Sequence, residues 1–364
     1  MPIRYLALTV AVALSAGCRQ SDPVQAFHGL ADEWWAMELA ADPLRATAAG
    51  EHRYDDRLAY ESVDSLRAAT ERRRVILDRL EAIPRDRLPR SDQVSRDMMA
   101  QELTAAIKEF EFGAWEMPIL ADAGFHIGFA RLPDELNFAT VVDYDNYLSR
   151  LAAYPRNSAE NIANMREGIR TGFTMPAVVL RGYEATIASH VVDDVAKSVF
   201  WRPFTRFPNS VSPVDRARLT ERARAVIAND VVPAYRSFLE FMAREYTPKA
   251  RTSVGASELP NGKDYYAWLV QKFTTLPLTP DSVHRLGLAE VARIRAEMNE
   301  VLRETGFKGS FAEFLKFLRT DPQSVERPNR RSRFAVATHR SVRQAPNAVP
   351  YSNRRAGRRL VSAR

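Results

Sequence analysis

The sequence has one cysteine, Cys18. That excludes internal disulfides and any cysteine-rich zinc site. It has six histidines, His28, His52, His126, His190, His284 and His339, and no two stand four residues apart. A helical zinc site needs two imidazoles one turn apart on one face, with a further ligand. Local sequence therefore offers no metal ligand. There is no G-x-S-x-G elbow and no glycine-rich phosphate loop ahead of a helix, so neither a serine hydrolase of that type nor a nucleotide cradle is supported. No catalytic residue and no metal residue is assigned, and no cofactor is expected in this chain.

Basic charge is scarce outside one segment. The chain carries 52 Lys and Arg against 45 Asp and Glu, for a net +7. Residues 324–364 hold eleven Arg, no Lys and one acid, Glu326, so that tail alone is +10. The preceding 323 residues hold 41 basic and 44 acidic groups and sit at −3. A body near neutrality gives no case for a nucleic-acid partner.

The N-terminus reads MPIRYLALTVAVALSAGC. Arg4 supplies a positive start, residues 5–14 an apolar run, and Ser15, Ala16 and Gly17 the small residues before Cys18. The run is too short to span a bilayer, and its flanks fit a secretory signal. The pattern resembles a bacterial lipobox, with Ser15 where Leu is most usual. It predicts a signal peptide over 1–17, lipidation at Cys18 and a lipid-anchored linker over 18–24. Acyl chains would hold the protein to the membrane. Arg19 follows the cysteine where an inner-membrane retention signal would have Asp, so the periplasmic face of the outer membrane is the expected location.

The body reads as all-α. Met99, Leu103, Ile107 and Phe110 recur at helical steps after Ser91-Asp92. Thr279-Pro280-Asp281 is a helix start, and Val283, Leu286, Val291, Ile294, Met298 and Val301 are expected to form a buried stripe behind it. Ser212-Pro213 opens a long helix through Leu219, Val226, Ile227, Tyr235, Phe238 and Met242, which Pro233 should kink or break. Leu30, Trp34 and Met37 mark a first helix, and Leu66, Val75, Leu80 and Ile83 a second. Connections fall at Asp42-Pro43, 84–89, 203–213 and 259–262. The stretch 251–259 reads as either a short strand or a loop.

The acidic pairs Asp55-Asp56 and Asp193-Asp194 read as surface or caps, since neighbours on a helix diverge in direction. The run Asp264-Tyr265-Tyr266-Ala267-Trp268 reads as core packing, with the wall of a ligand groove as the sharper alternative.

A set of linked motifs resembles one bacterial family. These are Leu259-Pro260-Asn261-Gly262-Lys263-Asp264-Tyr265-Tyr266, Thr274-Thr275, Leu278-Thr279-Pro280 and the run 284–294 from His284. Asp42-Pro43, Thr47, the run 50–58 (GEHRYDDRL) and Gly172-Phe173-Thr174-Met175-Pro176 agree. They resemble the family named domain of unknown function 885, over roughly residues 25–322. The resemblance implies an irregular multi-helix array akin to the N-terminal half of the large helical zinc peptidases. It implies zinc and a peptide substrate for the full-length family. The family's active segment resembles H-E-x-x-P-G-H-H, and this chain has no such segment, so no residue here inherits a ligand or general-base role.

The family-like text runs through FAEFLKFLRTDP and stops at 322; an Arg-rich, Lys-free stretch without helical period follows. Out-of-frame translation of GC-rich DNA gives such text. Synonymous codons for 343–349, read from the second base, can spell a segment that family members carry downstream. The expected organisation is a helical domain over 25–323, incomplete, and a frameshifted, disordered tail over 324–364. The rival reading of the tail is a genuine basic segment for anionic lipid. On the first reading the chain has lost the metal-binding half and is inactive alone. The alternative is a non-enzymatic envelope lipoprotein that binds ligands or serves as a scaffold.

Overall fold

The computed structural model describes residues 22–321. Cys18, the signal segment and the Arg-rich tail lie outside the described residues. Among the described residues there are thirteen α-helices: α1 Pro23–Ala41, α2 Pro43–Ala48, α3 Val63–Glu81, α4 Arg90–Glu111, α5 Phe125–Ala130, α6 Leu132–Glu135, α7 Val141–Thr171, α8 Glu184–Ala188, α9 Pro213–Val226, α10 Val232–Phe241, α11 Gly262–Thr274, α12 Pro280–Glu304 and α13 Phe311–Thr320. Among the described residues pairing of strand type is limited to two isolated bridges, Ile119 with Gly124 and Pro176 with Arg251. The stretch 251–259 is thus a loop with one bridge and a single turn, Ala256–Glu258.

The chain divides into two units, 1–280 and 281–364. In the first, α1, α3 and α4 close a small bundle around Phe27, Leu30, Ile76, Leu80, Met99 and Leu103. The expected stripe on α3 is one residue out. Val75 is exposed and Ile76 is buried, because the helix turns Ile76, not Val75, onto the face of Leu80. The start of α4 also differs. Helix begins at Arg90 after Pro89, and Ser91 lies inside it rather than capping it.

The larger core surrounds α7, a 31-residue helix opened by a capping box from Thr140 to Asp143. It buries Tyr144, Tyr147, Leu148, Leu151, Tyr154 and Met165 against α9 and α10. Ser212 caps α9 by accepting from the Asp215 N–H at 3.1 Å. The expected interruption at Pro233 takes the form of a change of helix type rather than a gap. A π-helical turn, Ile227–Val231, precedes α10, which opens with Val232 and Pro233. Widening the turn before the proline is how the missing N–H is absorbed. A third cluster gathers Phe173, Leu259 and Tyr265 with Phe112 and Trp268.

The second unit is different in kind. In its described part α12 is followed by α13, which Ser310 and Glu313 cap reciprocally. Phe307 packs on Phe314 and Phe317, at ring separations of 5.2 and 5.4 Å. The stripe expected to be buried on α12 is exposed instead. Leu286 is 58%, Val291 63%, Ile294 44%, Met298 37% and Val301 47% accessible, and only Leu302 is buried. Amphipathic spacing is present; within its own unit the only other described helix, ten-residue α13, is too short to cover a 25-residue partner.

Candidate functional site

The run 50–58 does not contribute a reactive cluster. It is wrapped around one buried arginine. Arg150 of α7 is 1% exposed and donates to four oxygens: Arg57 O at 3.0 Å, Pro43 O at 3.2 Å, Thr47 Oγ1 at 2.6 Å and Tyr54 O at 3.3 Å. Thr47 in turn donates to Asp55 at 2.5 Å, and His52 Nδ1 lies 2.8 Å from the other Asp55 oxygen. Asp55 is 3.7 Å from the Arg150 guanidinium. A buried guanidinium needs its donors filled and its charge compensated. The motif residues Pro43, Thr47 and Asp55 do that.

From there the chain runs extended over 57–61, and α7 fastens it with side chains alone. Arg156 donates to Leu58 O and Ala59 O, both at 3.1 Å, and Asn157 to Ala59 O at 3.2 Å. Asn164 donates to Glu61 O at 2.7 Å, and the Glu160 carboxylate accepts the Glu61 N–H at 2.7 Å. Positions 150, 157, 160 and 164 share one face at helical spacing. Arg156 also lies 3.9 Å over the Tyr60 ring.

This strap ends at Glu61 between two clefts. The larger, about 830 Å³, is lined by the end of α1, α2, the strap, α3 and α5. Its apolar wall includes Leu44, Leu58, Phe125 and Phe129, and Glu38, Asp42, Arg45 and Arg73 add charge. The smaller, about 320 Å³, lies among α3, α4 and α7, and Glu61, Leu66 and Arg73 line both. Arg73 is committed to Glu38 by two bonds of 2.8 Å. Glu61 is half-buried. Burial raises its carboxyl pKa, Asp42 and Glu160 raise it further, and Arg156 offsets part of the rise. Such a group either accepts a cation or exchanges a proton.

A second set of titratable groups is sealed in the core. His126 is fully buried, with Nε2 3.0 Å from Thr186 Oγ1 and Nδ1 without a partner. Burial, with His190 adding to it, lowers its pKa to about 4. His190 is lowered by burial as well. The two belong to an aromatic interior with Tyr183, Tyr235 and Phe238.

The remaining sequence candidates are placed as follows. Asp56 is exposed beside Arg57, and Asp194 caps the turn at Ala196. Tyr265 and Trp268 stack with Phe112 and Phe173, which is core packing, and neither lines either cleft. His28 pairs with Asp92, and His284 is exposed. Cys18 and His339 lie outside the described residues. Among the described residues no three His, Cys, Asp or Glu side chains stand where they could hold a metal ion. The other motifs also do structural tasks. Gly172 ends α7 with φ +87°, Thr174 holds Arg251, and Asn261 takes φ +52° ahead of α11. A Cβ at Gly262 would stand 2.2 Å from Ala256 O. Sequence reasoning passed over Glu61 and Arg150. Each is a lone residue whose partners stand about a hundred positions away or across a cleft, which no local pattern records.

The profile of one family, described as "Bacterial protein of unknown function (DUF885)", matches residues 43–353. The chain belongs to this family. The match takes in the strap, the smaller cleft, the larger cleft except its α1 end, and the α11 turn, and it continues past the change of composition at 323. No curated protein matches the chain. Among solved structures the family fold is seen in "the putative lipoprotein from Colwellia psychrerythraea", at TM-score 0.69 and 21% identity. That likeness covers 83% of this chain and 54% of the other. The chain thus spans about half the length of the structure it matches. Among the described residues no helix is long and apolar enough to cross a membrane.

Proposed function

We propose that this chain is the ligand-holding portion of an envelope lipoprotein, and that the larger cleft takes a peptide. The observation that carries this reading is the cleft itself. At about 830 Å³ it lies within the range of small-molecule and peptide sites. It sets an apolar wall of Leu44, Leu58, Phe125 and Phe129 beside a charged rim. The lipobox and the likeness to the Colwellia lipoprotein support the envelope setting, with Cys18 as the anchor on the periplasmic face of the outer membrane. The neighbour's greater length supports placing any peptidase-like centre of the family outside the residues described here. The ligand set for zinc does not fit this portion, so no hydrolytic step is assigned to its side chains.

The test uses the full chain in detergent with short peptides. Binding that EDTA leaves unchanged, without cleavage, is the expected result. Chelator-sensitive hydrolysis by the purified chain would overturn it, and so would the absence of any peptide binding. The Arg-rich segment is read as out of frame with the rest. Its abrupt composition supports this and the continued family match to 353 weighs the other way. Resequencing the codons from residue 318 onward decides between them. A shifted frame that restores family-like helices keeps the reading; its absence makes the segment a genuine basic tail for anionic lipid.

A further inference from the structure

We infer that the Glu61 carboxylate seats a primary ammonium group of the ligand, and that the larger cleft therefore takes a peptide by its positively charged end. This rests on the peptide reading of the cleft and deepens it. Three observations carry it. First, Glu61 is one of three residues lining both clefts, and its backbone is fixed on both sides, by Glu160 at the N–H and by Asn164 at the carbonyl. The position is held without using the side chain.

Second, neither a hydrogen bond nor an ion pair within the described residues reaches the Glu61 carboxylate, although it is half-buried. Three arginines of α3 and α7 are committed elsewhere. Arg73 makes a two-bond pair with Glu38. Arg156 serves Glu160 and the carbonyls of Leu58 and Ala59. Arg150 serves the motif oxygens. Third, the surrounding acids Asp42 and Glu160 add negative potential rather than relieve it. A partly desolvated carboxylate in that setting lacks its counter-charge. An ammonium supplies it, with three donors for the free oxygens.

The experiment measures binding of three peptides to the full chain in detergent: tetra-alanine, N-acetyl-tetra-alanine, and N-acetyl-lysyl-tri-alanine. A charge-assisted bond predicts a preference of about tenfold for an ammonium-bearing peptide over N-acetyl-tetra-alanine near neutral pH. Whichever of the two wins identifies the N-terminus or the lysine side chain as the source. Glu61→Gln should abolish the preference and leave the acetylated peptide's affinity in place, while Glu61→Asp should keep part of it. With unaltered protein, the preference should also fade as acid protonates Glu61, since the ammonium stays charged throughout. Equal binding of all three, or a preference that survives Glu61→Gln, overturns this inference and leaves the peptide reading standing. Binding of none overturns both.

Discussion

The two units spend their apolar residues differently. In the first, α7 buries a tyrosine and leucine face completely, and even the buried Arg150 places Nε and Nη2 on four oxygens. In the second, α12 carries an equally regular stripe that stays accessible from Leu286 to Val301. Helical spacing alone is the same signal in both. What separates them is whether described structure exists to cover the face. The first unit has the completeness of a core, and the second leaves its described apolar face accessible.

The sharpest way to break that contrast is Arg150→Met. It takes one donor from the Pro43, Tyr54 and Arg57 carbonyls and from Thr47, removes the charge facing Asp55, and should cost about 3–5 kcal/mol in a urea melt. An unchanged midpoint would mean that the segment from Pro43 to Arg57 does not depend on Arg150. Leu148→Ala is next, at about 3 kcal/mol, because a fully buried leucine leaves a cavity. The same class of change on α12, Val291→Ala, should move stability by less than about 0.5 kcal/mol. It should instead reduce binding of an apolar dye. If both substitutions cost alike, the second unit is as well covered as the first.

Acid gives a test between these extremes. His126 titrates near 4 in the folded state and near 6.5 when unfolded. Between those values the unfolded chain binds a proton that the folded chain refuses. Stability is therefore fully present above about 6.5 and falls as pH drops toward 4. From pH 7 to 5 the loss should be about 2 kcal/mol from His126 alone, with His190 adding in the same direction. Glu61 and Glu116, whose pKa values are raised, act in the opposite sense as they take up protons. The check is a pair of urea melts at pH 7 and 5, with His126→Leu flattening the difference.

The helices were legible because capping residues and apolar spacing are local. Thr279-Pro280-Asp281 and Ser212-Pro213 start helices at Pro280 and Pro213 as the residues predict. Burial was legible only where a partner exists, which is why the α12 stripe was misplaced; Val75 was misplaced by helix phase, one position from buried Ile76. The family motifs were read as signatures, and the structure gives most of them packing roles: Thr47 and Asp55 around Arg150, Gly172 at a helix end, Gly262 against a carbonyl. Glu61 stayed hidden for the opposite reason. Its side chain is set apart by lacking partners, and a missing contact leaves no mark in a sequence.

Every hydrogen bond that α7 makes to the strap over 57–61 goes to a main-chain atom, at intervals set by one helix. Apart from buried Leu58 and Tyr60 under Arg156, its spelling is therefore freer than its length. Exchanges at Ala59 leave every carbonyl where Arg156 and Asn157 expect it, whereas one inserted residue would put the teeth of α7 out of mesh with all the carbonyls downstream. Relatives that keep this arrangement should differ there by substitution and not by gaps.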